Sequence, residues 1–514
     1  MTYDMQRSDL TVGVVGAGAM GRGIMQVAVE GGITVLAFDA RAGAAEEARG
    51  FVTRMLDRQA QKGKITGEAA QAAAARVLVA ASLEEVAAAD VVIEAIVEDL
   101  NLKQQLFAAL DAASRPGTIL ATNTSSLPVT AIAAACQHRE RVAGLHFFNP
   151  VPLMKLVEVI PGLATVPAVT QALIALARRM RREPVVSADS PGFIVNHVGR
   201  GYVPEAARIV SEGIARFGDV DRIMTGAPGF RLGPFALLDL VGSDVSVAVM
   251  ESIWGQYFAE SMYAPGPELK LRVAGGLFGQ KTTKGWYDYR DGKRVEQPVQ
   301  VVPAARPKSV WVQPSHIDPN HTAALTALLS SAGVAVDRSE RASADSLILI
   351  TPVGSDLTTA LADPELDPRR TVAVDMLFGL AAPRTLMVTP ATDPVFRDQA
   401  HGLLAADGTP VIVINDSPGF VAQRIVAHIV NIGCQVASRG VATPADIDHG
   451  TRLGLSYPLG PLAWGDKLGA GTVLHILERL EEFYREPRYR PSPWLKRRAL
   501  LGLSLLTPDG VEAR

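Results

Sequence analysis

The sequence predicts an α/β protein built twice over: a doubly wound, mostly parallel sheet domain followed by an all-α domain, then a degenerate α/β lobe and a second copy of the all-α domain. Three observations carry this. Short β-branched runs alternate with Ala-rich helical segments through the first 190 residues, the pattern of parallel strands with helical crossovers. A glycine turn, GAGAMG, separates the first such run from a helical stretch. Finally, Asp189-Ser190-Pro191-Gly192-Phe193 recurs as Asp416-Ser417-Pro418-Gly419-Phe420, and the offset of 227 holds without a gap through Leu232-Gly233-Pro234 against Leu459-Gly460-Pro461 and Asp239 against Asp466, an internal repeat.

With 514 residues, the chain exceeds what a single core supports. The expected order is a sheet domain over 1–188, a helical domain over 189–290, a Pro-rich linker over 291–308, the degenerate lobe over 309–415 and the repeated helical domain over 416–514. A net charge of -3 offers no electrostatic reason to bind nucleic acid or an anionic membrane. No stretch of about twenty uninterrupted apolar residues suggests a membrane span. Two distant cysteines, Cys136 and Cys434, and an N-terminus without a secretory pattern favour a reducing cytoplasm and suggest neither a metal nor a redox pair. The basic clusters at Arg178–Arg182 and Lys496–Arg498 read as solvated helix ends.

Leu10 to Val15 reads as a strand, and the turn Gly16-Ala17-Gly18-Ala19-Met20-Gly21 then opens a helix. Gly16 permits the tight turn, Gly18 lets backbone N–H groups approach a pyrophosphate, and Gly21 allows close packing of helix on strand. A second strand, Ile33 to Phe38, ends in Asp39, where a carboxylate accepts from a ribose and repels a 2′-phosphate, favouring NAD over NADP. Further strands are expected over Ala89–Ala95, Ile119–Thr122 and Arg141–Phe148. Glu98, Ser125 and His146 all fall at or just after strand ends, where such sheets bind ligands. Ser125 reads equally well as an N-cap or turn residue.

His146 closes one strand and Glu158 sits within another, Lys155 to Ile160, with Asn149-Pro150-Val151-Pro152 turning the chain between them. Such a turn brings the two side chains together. A buried carboxylate without a partner costs several kcal/mol, so a His–Glu dyad explains an acid otherwise misplaced in an apolar strand. A carboxylate holds the imidazole in one tautomer and stabilises it once protonated, as a general base acting on an alcohol requires. The plain alternative is a buried histidine satisfied by a backbone carbonyl.

GAGAMG, EAIVED, NTSSL, GLHFFNPVPLMKLVEVI, DSPGFIVN and KTTKGWYDY, in this order and spacing, resemble the (S)-3-hydroxyacyl-CoA dehydrogenases over roughly residues 10–290. The resemblance implies a Rossmann-type NAD-binding domain and oxidation of a 3-hydroxyacyl-CoA to the 3-oxoacyl-CoA. It makes His146 the base, Glu158 its orienting partner, and Ser125 and Asn196 hydrogen-bonding groups near the substrate oxygen. Asp39, Glu98, Lys103 and Asn149 fall at NAD, and Lys62 near a CoA phosphate. ERVAGLHFFNP and MKLVEVIPGLAT are most similar to members acting on 3-hydroxyadipyl-CoA in phenylacetate degradation; 3-hydroxybutyryl-CoA is the other substrate considered.

A distal carboxylate needs a basic partner. Arg200, four residues after Asn196 and on the same face if the segment is helical, is the candidate, and it reads equally as a surface or internally paired residue. In the second half Asn196 becomes Gln423, Met376 and Val388 stand where the His and Glu would be, and no glycine fingerprint precedes them. That copy is expected to be catalytically silent and to take the place of a partner subunit in a monomer; a homodimer is the other expectation. Two further functions remain open: an NAD-dependent dehydrogenase of a free hydroxy acid, and a non-catalytic NAD-binding protein.

Overall fold

The computed structural model describes residues 3–315, 317–381 and 383–510. The chain divides into two compact units, Met1–His197 with Arg439–Leu455, and Val198–Ser438 with Ser456–Arg514.

The first unit is built on an eight-stranded sheet. Its strands are β1 (Thr11–Val15), β2 (Thr34–Phe38), β3 (Val77–Val79), β4 (Val91–Glu94), β5 (Ile119–Thr122), β6 (Val142–Phe147), β7 (Leu156–Pro161) and β8 (Glu183–Val186), in the order β3-β2-β1-β4-β5-β6-β7-β8. All neighbours are parallel except β6 and β7. Every residue of β4, β5 and β6 is buried, because helices cover both faces, and the strands therefore read as continuous apolar runs. Between β1 and helix α1 (Ala19–Glu30) the chain needs its glycines. Gly16 has φ +104°, and a Cβ there would lie 2.5 Å from the Ala95 carbonyl oxygen; one at Gly21 would lie 1.8 Å from that of Gly16. Strands β3 and β8, absent from the sequence reading, have only three and four residues.

The last piece of this unit comes from far along the chain. Residues 439–455, including the helix Pro444–Gly454, pack on β7 and β8. The Ala188 N–H donates to the Val441 carbonyl at 2.7 Å, and His449 Nε2 lies 2.9 Å from Glu183 Oε2.

The second unit contains a small hairpin, β9 (Tyr289–Arg290) with β10 (Lys293–Arg294), and a six-stranded sheet. The sheet comprises β11 (Ser309–Val312), β12 (Ala335–Asp337), β13 (Leu347–Ile350), β14 (Thr371–Val374), β15 (Arg384–Val388) and β16 (Val411–Asn415), in the order β12-β11-β13-β14-β15-β16. Only β14 and β15 run antiparallel in it. Helices of both repeats complete this unit, among them Val203–Ser211, Phe217–Gly226 and Ala422–Ser438. Here the Asn415 N–H donates to the Ile214 carbonyl at 2.9 Å. With the offset of 227, this is the counterpart of the Ala188–Val441 bond.

Both repeats also share the left-handed turn of the DSPGF motif: Gly192 and Phe193 have φ 78° and 50°, Gly419 and Phe420 have 72° and 50°. A buried ion cluster joins them within the second unit. Arg424 Nε lies 2.6 Å from Glu205 Oε1 with both side chains at 0% exposure, and Arg488 Nε lies 2.8 Å from Glu205 Oε2. Burial raises the Glu205 carboxyl, but Arg424 and Arg488 outweigh it and hold the acid well below the usual range.

The degenerate lobe corrects the expected correspondence. His146 faces Glu158 across β6 and β7. In the second sheet Val374 faces Leu386, and the Asp375 N–H donates to the Thr385 carbonyl at 3.0 Å. Asp375 and Thr385 therefore occupy the His and Glu positions, not Met376 and Val388. Asp375 is buried, which pushes its carboxyl up to about 6, and it accepts from Gln423 Nε2 at 2.9 Å. Asp337 ends β12 as Asp39 ends β2, but it is engaged by the Ser339 and Ser343 N–H groups at 3.0 and 2.8 Å.

Two basic clusters also differ from expectation. Arg179 donates to the carbonyls of Met5, Arg7, Gly31 and Gly32, and Arg498 is buried over the Trp494 ring. Each is a packing residue, since a guanidinium satisfies several carbonyls at once. Among the described residues no helix is long and apolar enough to cross a membrane.

Candidate active site

The carboxyl ends of β1, β2, β4, β5 and β6 converge on the glycine turn. Helix α1 points its N-terminus there with Gly18 as N-cap. A Cβ built on Gly18 meets no atom within 4 Å, so the backbone borders open space, the cradle a pyrophosphate needs. Asp39 closes the far side: its Oδ2 accepts from the Ala17 N–H at 2.7 Å and its Oδ1 from that of Arg41 at 2.8 Å. Ala19 and Met20 form the first turn of α1. This arrangement fits a dinucleotide whose ribose hydroxyls compete for Asp39.

His146 lies in β6 and Glu158 in β7, and their antiparallel register sets them opposite each other. His146 Nδ1 is 2.7 Å from Glu158 Oε2, with side-chain exposures of 6% and 0%. The other oxygen of Glu158 accepts from the Ile194 and Val195 N–H groups, each at 3.0 Å. A carboxylate saturated in this way is an acceptor only, which requires N–H at Nδ1 and leaves Nε2 as the nitrogen for proton exchange. Phe148 and Phe193 flank the imidazole, with ring centroids at 4.4 and 5.8 Å.

Ser125 lies in the turn after β5. The side-chain oxygen of Asn123 accepts from the Phe147 N–H at 2.8 Å, tying that turn to the end of β6. Glu98 Oε1 accepts from the Thr124 hydroxyl at 2.6 Å and from the Ser125 and Ser126 N–H groups at 2.9 and 3.0 Å. Burial raises the Glu98 carboxyl, but Lys103 and these donors outweigh it and hold the acid below its ordinary range. Asn196 Nδ2 donates to the Ser125 carbonyl at 3.4 Å. Two hydrogen-bonded groups result, His146 with Glu158 and Ser125 with Asn196 and Glu98, and the Phe147–Asn123 bond ties the strand of the first to the turn of the second.

The remaining sequence candidates are dispersed. Asn149 is exposed in the turn after β6, at a cis bond to Pro150. Lys62 is exposed at the C-cap of helix α2 (Ala44–Gln61). Lys103 is 1% exposed, with its ammonium 2.5 Å from Glu94 and 3.3 Å from Glu98. Arg200 lies in the second unit on a 3-10 turn, Gly199–Gly201, so the α-helix assumed from its spacing ends at Val198. Burial pulls its guanidinium down to about 10, opposed by Tyr457. Sequence reasoning missed Glu94, although an acid ending the apolar strand VVIE is the same anomaly that flagged Glu158. Cys136 is buried, and that burial pushes its thiol up to about 12, far from a reactive thiolate. Among the described residues no group of three or more His, Cys, Asp or Glu could hold a metal ion.

Comparison with known proteins bears on this geometry. The NAD-binding domain of 3-hydroxyacyl-CoA dehydrogenase matches residues 11–190, and its C-terminal domain matches twice, over 192–289 and 419–511. The chain is 37% identical over 491 residues to 3-hydroxyadipyl-CoA dehydrogenase of Escherichia coli (strain K12), covering 96% of this chain and 98% of that protein. It is 39% identical over 288 residues to human mitochondrial hydroxyacyl-coenzyme A dehydrogenase, covering 54% of this chain and 91% of that one. A crystal structure of 3-hydroxybutyryl-CoA dehydrogenase from Escherichia coli K12 superposes with TM-score 0.84 at 36% identity, covering 96% of this chain and 99% of that chain. The chain therefore belongs to the 3-hydroxyacyl-CoA dehydrogenase family of NAD-dependent oxidoreductases.

Proposed function

We propose that the chain oxidises a (S)-3-hydroxyacyl-CoA with His146 as general base. The observation that carries this is the 2.7 Å contact between His146 and a Glu158 whose other oxygen is fixed by two backbone amides. NAD, when bound, supplies the hydride acceptor. His146 Nε2 takes the hydroxyl proton as the C3 hydride departs, and Glu158 stabilises the resulting imidazolium; in the reverse direction the imidazolium returns the proton. Ser125 and Asn196 position the substrate oxygen. Gly16 to Gly21 and Asp39 hold the dinucleotide, with Glu98 and Asn149 beside it, and Lys103 acts on it through Glu98. Lys62, exposed on a basic helix end, meets a phosphate of CoA.

The substrate we propose is 3-hydroxyadipyl-CoA, with 3-hydroxybutyryl-CoA as the shorter alternative. Arg200 is the residue we propose for a distal carboxylate, because a guanidinium gives a carboxylate two parallel N–H bonds. The second α/β lobe is silent, since Asp375 and Thr385 replace the dyad, and we propose that its helical copy stands in for a partner subunit, leaving the chain monomeric. The single Arg424–Glu205 pair supports this: by the offset of 227 the reciprocal positions are His197 and Ile432, which cannot pair as ions.

NADH absorbance with a panel of 3-hydroxyacyl-CoA chain lengths and a free hydroxy acid tests the activity, and light scattering of the full chain tests the assembly. Turnover of thioesters that is lost in His146→Gln is expected; turnover of the free acid alone would overturn the reading. Arg200→Leu should reduce adipyl turnover far more than butyryl turnover, and equal losses would remove Arg200 from substrate recognition.

A further inference from the structure

Glu94 closes β4 with its side chain at 0% exposure, and none of the roles above uses it. A carboxylate in that position has lost its water and must be compensated. Its Oε2 accepts from the Thr122 hydroxyl at 2.7 Å, and its Oε1 accepts from the Ile96 N–H at 2.7 Å and from the Lys103 ammonium at 2.5 Å. Lys103 also reaches Glu98 Oε2, at 3.3 Å. The opposite oxygen of Glu98 is the one that gathers Thr124, Ser125 and Ser126. Three side chains of alternating charge thus run from the sheet interior to the turn that carries Ser125, and Asn196 holds the carbonyl of the same serine.

A purely structural filler would be served as well by apolar side chains, because replacing a buried ion pair with them is often neutral or stabilising. Two carboxylates around one ammonium also leave the group net negative. The second lobe, where the dyad is missing, also lacks a counterpart of β4: the single strand β13 stands between β11 and β14 where β4 and β5 stand between β1 and β6.

We propose that Glu94 is a positioning residue for the reaction: it fixes the Lys103 ammonium, which holds Glu98 as an ionised acceptor, which in turn sets the Ser125 turn. The inference rests on the reading of His146 and Ser125 given above.

Glu94→Gln in the full-length chain keeps the shape and removes the charge. Its kcat at saturating NAD should fall about 10- to 100-fold, as small displacements of reacting groups do, while KM for the thioester stays within about threefold. A merely structural residue would change the melting temperature and the folded fraction, leaving kcat per folded site untouched. If the single variant does not fold, Glu94→Met combined with Lys103→Met removes both charges without stranding either, and the same loss of kcat is expected near the wild-type melting temperature. Wild-type kcat in whichever variant folds overturns the positioning. An inert wild-type chain would overturn the assigned activity together with it, so the two failures are distinguishable.

Discussion

Replacing Glu158 by Gln keeps the outline of the side chain and removes its charge. In the wild type, Oε2 faces His146 Nδ1 at 2.7 Å while Oε1 accepts two backbone amides at 3.0 Å. An amide group has one acceptor oxygen where the carboxylate has two, so in the variant either the imidazole or the backbone pair meets an N–H. The larger effect arises when the imidazole takes the substrate proton. For charge centres about 4 Å apart at an effective dielectric of about 20, the lost attraction is roughly 4 kcal/mol. That corresponds to about a thousandfold in rate, at about 1.4 kcal/mol per decade. Both groups are buried, so solvent screening does not reduce the figure. Since Gln still offers a dipole to the imidazole, the expected fall in kcat is about 100- to 1000-fold, with KM values changed only a few-fold. Initial rates of NADH formation, normalised to sites counted by NADH fluorescence, read this directly. A loss smaller than about tenfold, or one confined to KM, would refute the assignment of the dyad.

Two glycines of the first turn should separate binding from folding. A Cβ at Gly18 meets nothing within 4 Å, so Gly18→Ala should melt like the wild type while its NADH dissociation constant, read by fluorescence titration, rises by about tenfold or more. A Cβ at Gly21 would lie 1.8 Å from the Gly16 carbonyl, so Gly21→Ala should cost about 1–3 kcal/mol of stability in denaturant titration. Asp375 should make the stability depend on pH. Its carboxyl is raised from 3.8 to about 6 by burial, so the folded state binds the proton more tightly than the unfolded one. Its contribution to stability is then fullest below about pH 4 and is lost as pH rises through about 6, by about 3 kcal/mol. Asp375→Asn should remove this dependence and be more stable than the wild type at pH 8, with dehydrogenase activity unchanged; equal stability of the two proteins at pH 8 would refute it.

The features legible in the sequence are those whose cause is local. Gly16, Gly18 and Gly21 are spaced by the turn itself, and Asp39 follows because β2 must end beside it. The His146–Glu158 pair was legible through energetics, since an acid in an apolar strand requires a partner. The same reasoning applied to Glu94 asks for a buried partner, which the structure supplies in Lys103. What remained hidden depends on pairing and on tertiary contacts. Thr385 stands at the offset of 227 from Glu158, but Asp375 required the strand register, because ten residues separate it from Thr385 where twelve separate His146 from Glu158. Arg179 and Arg498 looked solvated because a basic cluster reads the same whether its guanidinium meets water or carbonyl groups. The return of residues 439–455 to β7 and β8 could not be read from periodicity, since an amphipathic helix records that it covers something and not which surface it covers.

That return has a consequence for how the protein comes into being. The first unit ends one stretch at His197 and recovers its remaining piece only at Arg439, roughly 240 residues later. At about 5–20 residues per second, a ribosome needs about 12–50 s to cover that interval. Throughout it the nascent sheet exposes the flank beside β8 that the helix Pro444–Gly454 will later cover. A newly made dehydrogenase domain must therefore wait for the whole of the second sheet to be translated before its last helix arrives.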